Sequence, residues 1–467
     1  MKEELADLTG VELAESFAAG TLSPVDVAED VLARAERLEP HLCATYALEP
    51  EAVRAQARAS EARWHKGAPL SVIDGIPVTL KELIATKGTP KPVGTAAGDM
   101  TPQTHDAPPA QRMREAGAVL LAKTTVPDYG MLSSGLSSFH KLARNPWDLS
   151  RNPGGSSAGA GAAAAAGYGP FHVGTDIGGS VRLPAGWCGI FAHKPSNGRI
   201  PIDPPYIGRV AGPMTRTVAD AALMMTHLSL PDRRDFMDLP YQELPWRQLE
   251  GDVAGLRIGL MLEAGCGSPT EPEVAEAVTE AARLFEHGGA IVEPVEPFMT
   301  PEMLDGLDRF WRARFHAEMR DLPAEKYGLI LEYIRKWVEP AAHYDGMEVY
   351  TGFDQIIQMR ERGRAYNDYD LLLSPVAPMP AFPAELASPV NDPMRPFEHI
   401  GFTVPYNMTE QPASSINCGY TREGLPVGLQ IVGRRFEDMA VLRASAWYEK
   451  ARPAQRPWPC RREVMAD

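Results

Sequence analysis

An α/β fold is what this sequence predicts, and three observations carry the prediction. Short apolar runs bounded by glycine, proline and other turn residues recur along the chain, as strands do. Two of these runs flank an amphipathic helix on short links, which is a strand–helix–strand crossover. No repeat or disordered linker divides the chain: its 41 glycines and 43 prolines are about 18% of 467 residues, below the roughly 25–30% of low-complexity segments. A single large domain over residues 1–467 is expected.

Residues 1–65 read as a helical layer. Ser23-Pro24 opens a helix with serine at the N-cap, proline at N1 and Asp26 in the first turn. Val27, Val31, Ala35 and Leu38 then recur at helical spacing. Strands are expected at Ile76–Leu80, Ala118–Ala122, Leu256–Leu260, Ile291–Val295, Leu371–Ser374 and Val427–Val432. The amphipathic helix lies between the third and fourth, with Val274, Ala277, Val278, Ala281, Leu284 and Phe285 on one face, closed by Gly288-Gly289.

Composition narrows the function. The net charge is −15 and no Lys/Arg-rich run occurs, which argues against a nucleic-acid partner. No stretch approaches about 18 apolar residues, so no membrane span is expected. The first sixteen residues lack the apolar core of a secretory signal. Five scattered cysteines without a CxxC pair read as reduced thiols, and a cytoplasmic location is expected. The eleven histidines include no HExxH, so no metal is expected; GAGAAAAAG follows no strand and lacks the GxGxxG order, and GTDIGGS lacks the lysine of a P-loop, so no cofactor is expected either.

The chemistry concentrates in PGGSSAGAGAAAAAGYGPFHVGTDIGGSVRLP, residues 153–184. Two glycine clusters end in serine, at Ser156-Ser157 and at Ser180, joined by an alanine-rich stretch of high helix propensity. Amide hydrolysis needs a nucleophile, a base and donors for the developing oxyanion. Glycines before a serine leave backbone N–H groups uncovered, so Ile177, Gly178, Gly179 and Ser180 are candidates for the oxyanion cradle. Asp176 and Arg182 flank the loop as a candidate anchoring pair. Upstream, DGIPVTLKEL places Lys81 at the end of an apolar strand, where desolvation would lower its pKa toward that of a useful base.

These segments resemble the amidase signature family. GGSS, a small-residue helix and GTDIGGSVRLPA follow in the family's order, with Ser156 and Ser180 separated by 24 residues. DGIPVTLKEL, GAVLLAKTTVPDYG, CGIFAHKPSNGRIP and the closing FTVPYNMTEQPASSINCGYTREGLPVGLQIVG resemble further blocks. The likeness runs from about residue 5 to about residue 450. It divides the expected domain into a signature core (70–220), a variable substrate-pocket region (230–400) and a closing block (400–450). The resemblance implies a central mixed sheet surrounded by helices. It implies Ser180 as acyl-forming nucleophile, Ser156 as a bridging serine on a cis peptide, and Lys81 as base. It also implies Ile177, Gly178, Gly179 and Ser180 as oxyanion loop, Gly130 and Met131 as an acyl-pocket turn, and Ser157 as support. Ala158, Ala160, Asp128, Thr125 and Asn417 depart from the family's commoner residues without touching the triad.

The implied activity is hydrolysis of a small-molecule carboxylic amide to acid and ammonia or amine, with a homodimer possible. The alternative within the family is the glutaminase component of a tRNA-dependent amidotransferase. That component usually carries an acidic residue just before the TVPxN block; here Glu398 lies near but out of register. Gly155-Ser156-Ser157-Ala158-Gly159 also fits GxSxG, but the polar, proline-broken NPWDLSRNP before it is no nucleophile-elbow strand. Of the aromatic residues between Phe310 and Phe353, most are expected in the core, and any that face the site would favour an apolar or aromatic acyl group.

Overall fold

The computed structural model describes residues 4–459. Eleven strands form one mixed sheet: β1 (Thr45–Tyr46), β2 (Pro77–Lys81), β3 (Val119–Thr124), β4 (Phe171–Asp176), β5 (Phe191–Lys194), β6 (Val210–Thr215), β7 (Arg257–Leu260), β8 (Ile291–Pro294), β9 (Leu371–Pro375), β10 (Ala413–Tyr420) and β11 (Pro426–Gly433). Their order across the sheet is β1-β3-β2-β4-β6-β5-β10-β11-β9-β7-β8. β2 runs parallel to both β3 and β4, and β7 parallel to β8 and β9, while the strands between are antiparallel.

The expected elements are present with ends displaced by one or two residues. Ser23 caps helix Pro24–Leu42, its hydroxyl accepting from the Val25 amide, and Val27, Val31, Ala35 and Leu38 are all buried. The N-terminal layer is not wholly helical, because Thr45–Tyr46 extends the sheet by pairing with β3. Helix Pro272–His287 crosses between the parallel strands β7 and β8 and ends at Gly288, with Gly289 left-handed at φ +89°. Its buried stripe of Val274, Val278, Ala281 and Phe285 is the apolar face seen in the sequence.

Strands β4, β5, β6 and β10 were not among the expected ones. The first three are buried along their whole length, so they show no alternation of apolar and polar residues. The alanine-rich stretch is helix Ala158–Ala166, also buried at every position. Its methyl-sized side chains let it lie close to its neighbours: a Cβ on Gly159 would come within 2.0 Å of the Ala44 carbonyl oxygen. No helix among the described residues is long and apolar enough to cross a membrane. Cys43, Cys266 and Cys418 are free thiols, Cys188 Sγ donates to the Pro153 carbonyl at 3.2 Å, and Cys460 lies outside the described residues.

Candidate active site

The site lies at the carboxyl ends of parallel strands, where open α/β sheets hold their ligands. β2 delivers Lys81 as its last residue, and its parallel neighbour β4 ends at Asp176 and leads into loop 177–181. Ser156 sits two residues before helix Ala158–Ala166, and the Gly155–Ser156 peptide is cis. Ser156 Oγ lies 2.8 Å from Lys81 Nζ and 3.1 Å from Ser180 Oγ. The three residues named from sequence thus form one continuous hydrogen-bonded chain. Lys81 and Ser156 are buried, whereas Ser180 is partly exposed to the cavity.

Among the described residues Lys81 has no carboxylate in ion-pair contact; its Nζ also donates to the Thr175 carbonyl at 3.3 Å. Burial, reinforced by the positive charge of Arg209 and opposed by Asp176 and Glu82, holds the ammonium well below its ordinary range. In the charged form the protons run from Lys81 to Ser156 to Ser180. With a neutral amine the same contacts reverse, so that a proton leaving Ser180 can pass through the Ser156 hydroxyl to Lys81.

Asp176 and Arg182 fix the loop. Arg182 donates through Nε and one terminal nitrogen to both Asp176 oxygens, at 3.1 and 2.9 Å, and both side chains are fully buried. The remaining guanidinium bonds reach the Thr403 carbonyl and Gln430 at 2.8 Å each, and Asn407 at 2.6 Å. Burial alone would raise the Asp176 carboxyl, but Arg182 and its other donors hold it far below the usual carboxylate range. Arg182→Met leaves a buried carboxylate without its counter-charge. A loss of about 3–5 kcal/mol is expected in denaturant unfolding, and a variant within about 1 kcal/mol of the parent would contradict this anchoring role.

One expectation for the cradle needs correction. The Gly179 N–H does not face the cavity; it donates to Asp176 Oδ1 at 2.8 Å. With φ +128° the backbone turns this amide toward the buried carboxylate, and a Cβ there would meet Thr403 Oγ1 at 2.5 Å. Among the described residues the N–H groups of Ile177, Gly178 and Ser180 have no intramolecular acceptor, which leaves them for an oxyanion. Thr403 holds the loop from behind by donating to the Gly178 carbonyl at 2.6 Å.

Ser157 stands apart from this chain. Its N–H donates to the Ser180 carbonyl at 3.2 Å, and its hydroxyl to the Thr175 carbonyl at 3.2 Å. No strand precedes it, so the elbow geometry is absent. Ser157→Ala removes two buried hydrogen bonds, one to the Thr175 carbonyl and one from the Thr175 amide, beside the loop that carries Ser180. A fall in kcat of about tenfold to a hundredfold is expected; a loss as large as that of Ser156→Ala would contradict a supporting role.

The cavity in front of Ser180 has a volume of about 260 Å³. Gly130 and Met131 line it, as expected, and Gly130 is left-handed at φ +68°, where a Cβ would lie 3.4 Å from Ser156 Oγ. Trp311 and Phe315 are the aromatic residues of the variable region that reach it, whereas Trp337 packs behind them and Tyr350 is exposed to solvent. Sequence reasoning missed the charged lining: Lys91, Arg209, Arg314 and Glu318. It also missed Thr403, Asn407 and Gln430 as partners of Arg182. A buried glutamine inside the apolar run VGLQIVG was the available signal for the last.

The sequence model of the family described as Amidase matches residues 26–442. The chain is 34% identical to the A subunit of glutamyl-tRNA(Gln) amidotransferase from Myxococcus xanthus (strain DK1622), over 96% of this chain and 98% of that one. It is 32% identical to an acylamidase of Rhodococcus erythropolis, over 97% of each. Among solved structures, a bacterial aryl acylamidase superposes with a TM-score of 0.88 at 29% identity, covering 95% of this chain and 96% of that one. A 6-aminohexanoate cyclic dimer hydrolase in complex with substrate superposes with a TM-score of 0.87 at 25% identity, covering 98% and 100%.

Proposed function

Because this chain belongs to the amidase signature family and is an amide hydrolase, we propose that it cleaves its substrate through an acyl-enzyme on Ser180, with Ser156 as proton bridge and Lys81 as base. The observation that carries this reading is the unbroken contact from Lys81 Nζ through Ser156 Oγ to Ser180 Oγ, at 2.8 and 3.1 Å. Ser180 Oγ attacks the amide carbonyl while its proton moves to Ser156, whose own proton moves to neutral Lys81. The oxyanion is received by the N–H groups of Ile177, Gly178 and Ser180. Lys81 then returns the proton through Ser156 to the leaving nitrogen, and ammonia or an amine departs as the C–N bond breaks. Water adds to the ester by the same relay and releases the acid.

The pH profile tests the base. A neutral lysine is the active form, so kcat/KM rises with pH as Lys81 loses its proton. Its lowered pKa places this limb below the value of about 10.4 for an ordinary lysine. Arg209 is one of the charges that lowers it, so Arg209→Gln is expected to move the limb to higher pH. Activity should be indifferent to EDTA, since side chains carry every proton transfer. A limb that falls with rising pH, or loss in EDTA restored by zinc, would count against the scheme.

A second reading is favoured by the similarity to the amidotransferase component, which is at least as high as that to the acylamidase. In it the chain would release ammonia from glutamine within a complex. Glu398, the acidic residue nearest the expected place, is paired instead with Arg395 at 2.9 Å. Steady glutamine hydrolysis that appears only on adding partner proteins of such a complex would establish this reading over a stand-alone amidase.

A further inference from the structure

The cavity holds more positive charge than its neighbours neutralise. Its charged lining comprises Lys91, Arg209, Arg314, Asp176 and Glu318. Asp176 is satisfied by Arg182, and Glu318 by Arg314, whose Nε lies 3.0 Å from it. The Arg314 guanidinium also lies over the Tyr206 ring, 3.8 Å from its centroid. Lys91 and Arg209 are left over. Among the described residues neither makes an ion pair; the one hydrogen bond of the Arg209 guanidinium goes to the Pro204 carbonyl at 3.1 Å, and Lys91 Nζ makes none.

The contrast with Arg182 is instructive. That guanidinium is fully buried and uses its nitrogens in five bonds to protein acceptors, as a structural arginine does. Arg209 is half-buried in the cavity wall with most of its donors unused. Asp203 acts on both cations, Asp235 and Glu318 on Arg209, and Glu82 on Lys91, but none of these carboxylates is in ion-pair contact with either. Two partly desolvated cations that repel each other and lack a contacting carboxylate form a site of positive potential that suits an anion. Burial and Arg314 push Arg209 down to about 10 against the opposing pull of Asp203, Asp235 and Glu318, and burial and Arg209 push Lys91 down against Glu82 and Asp203, so that Arg209 stays charged at neutral pH. Around this pair the wall is apolar, from Leu83, Val93, Met131, Ile177, Trp311 and Phe315.

We propose that Lys91 and Arg209 form a carboxylate-binding subsite, and that the substrate is an amide carrying a carboxylate on an otherwise apolar or aromatic body. This rests on the amide-hydrolase reading and specifies its substrate. Planar carboxylate matches the forked donors of Arg209, with Lys91 supplying a second positive charge.

Three anilides test it: acetanilide, which is neutral; N-phenylsuccinamic acid, with a carboxylate on the acyl side; and 4-acetamidobenzoate, with one on the leaving-group side. Measured at pH 7, where Arg209 is charged, and compared as a ratio of substrates within each variant so that any change in Lys81 cancels, one of the charged anilides is expected to exceed acetanilide in kcat/KM by about tenfold to a hundredfold. Which one does so tells the side of the scissile bond. In the Lys91→Met/Arg209→Gln double variant the ratio should collapse toward one. Acetanilide equal to or better than both, or a preference that survives the double variant, overturns the subsite while leaving amide hydrolysis intact. Labelling of Ser180 by a neutral fluorophosphonate, run alongside, keeps the two readings apart. Protection by 3-phenylpropanoate but not by 3-phenylpropanol supports the subsite even where no anilide is turned over, and equal protection overturns it. Labelling that never reaches Ser180 overturns the proposed mechanism and the subsite with it.

Discussion

Ser180→Ala is expected to abolish acyl-enzyme formation and to lower kcat by about ten-thousandfold or more. The alanine removes the hydroxyl that lies 3.1 Å from Ser156 Oγ, in the loop whose Ile177, Gly178 and Ser180 N–H groups have no acceptor among the described residues. No covalent adduct should form with substrate or inhibitor. The fold should be little affected, because Ser180 is partly exposed and its side chain makes a single hydrogen bond among the described residues. Stopped-flow turnover and intact-mass measurement check both parts. A variant that still shows a burst of product, or still gains acyl mass, would remove Ser180 from the nucleophile's role.

Ser156→Ala should be nearly as damaging, with a loss of about a thousandfold or more in kcat. Lys81 Nζ contacts Ser156, not Ser180, in the chain of hydrogen bonds. In the proposed mechanism, loss of the bridging hydroxyl leaves the base no route to the nucleophile's proton. Lys81→Met should fail to a similar degree for the complementary reason. Groups that act as a relay fail as a unit, so the double variant is expected to cost little more than either single change. Strictly additive losses would mean that Ser156 and Lys81 act independently. Ser157 serves as the internal control: it is adjacent in sequence, buried and hydrogen-bonded, yet outside the relay.

The legible part of this site was the part written in local sequence. The serine pair is marked by glycine clusters at a fixed spacing, and Lys81 by a charge at the end of an apolar strand. The crossover at residues 257–294 was likewise visible, because its helix faces solvent on one side and so shows a stripe. What could not be read depends on distant segments. Arg182 draws on Thr403, Asn407 and Gln430, all more than 200 residues away. Strand β4, FHVGTD, is buried on both faces and carries glycine, histidine and aspartate, so neither period nor propensity reveals it. Gly179 misled because glycine advertises an exposed amide, whereas the fold uses that amide to bind Asp176. Lys91 and Arg209 belong to no motif, and only the folded cavity brings them together.

The most direct test of the central claim is peptide mapping by mass spectrometry after reaction with a fluorophosphonate. Two serine-bearing loops meet in this site, joined by the Ser157 N–H to Ser180 carbonyl bond of 3.2 Å, so either could in principle be labelled. A single adduct on Ser180, absent from Ser180→Ala and greatly slowed in Ser156→Ala and Lys81→Met, is the result expected from the relay described above. An adduct on Ser157 that persists in Ser180→Ala would contradict it and return the site to a nucleophile-elbow arrangement.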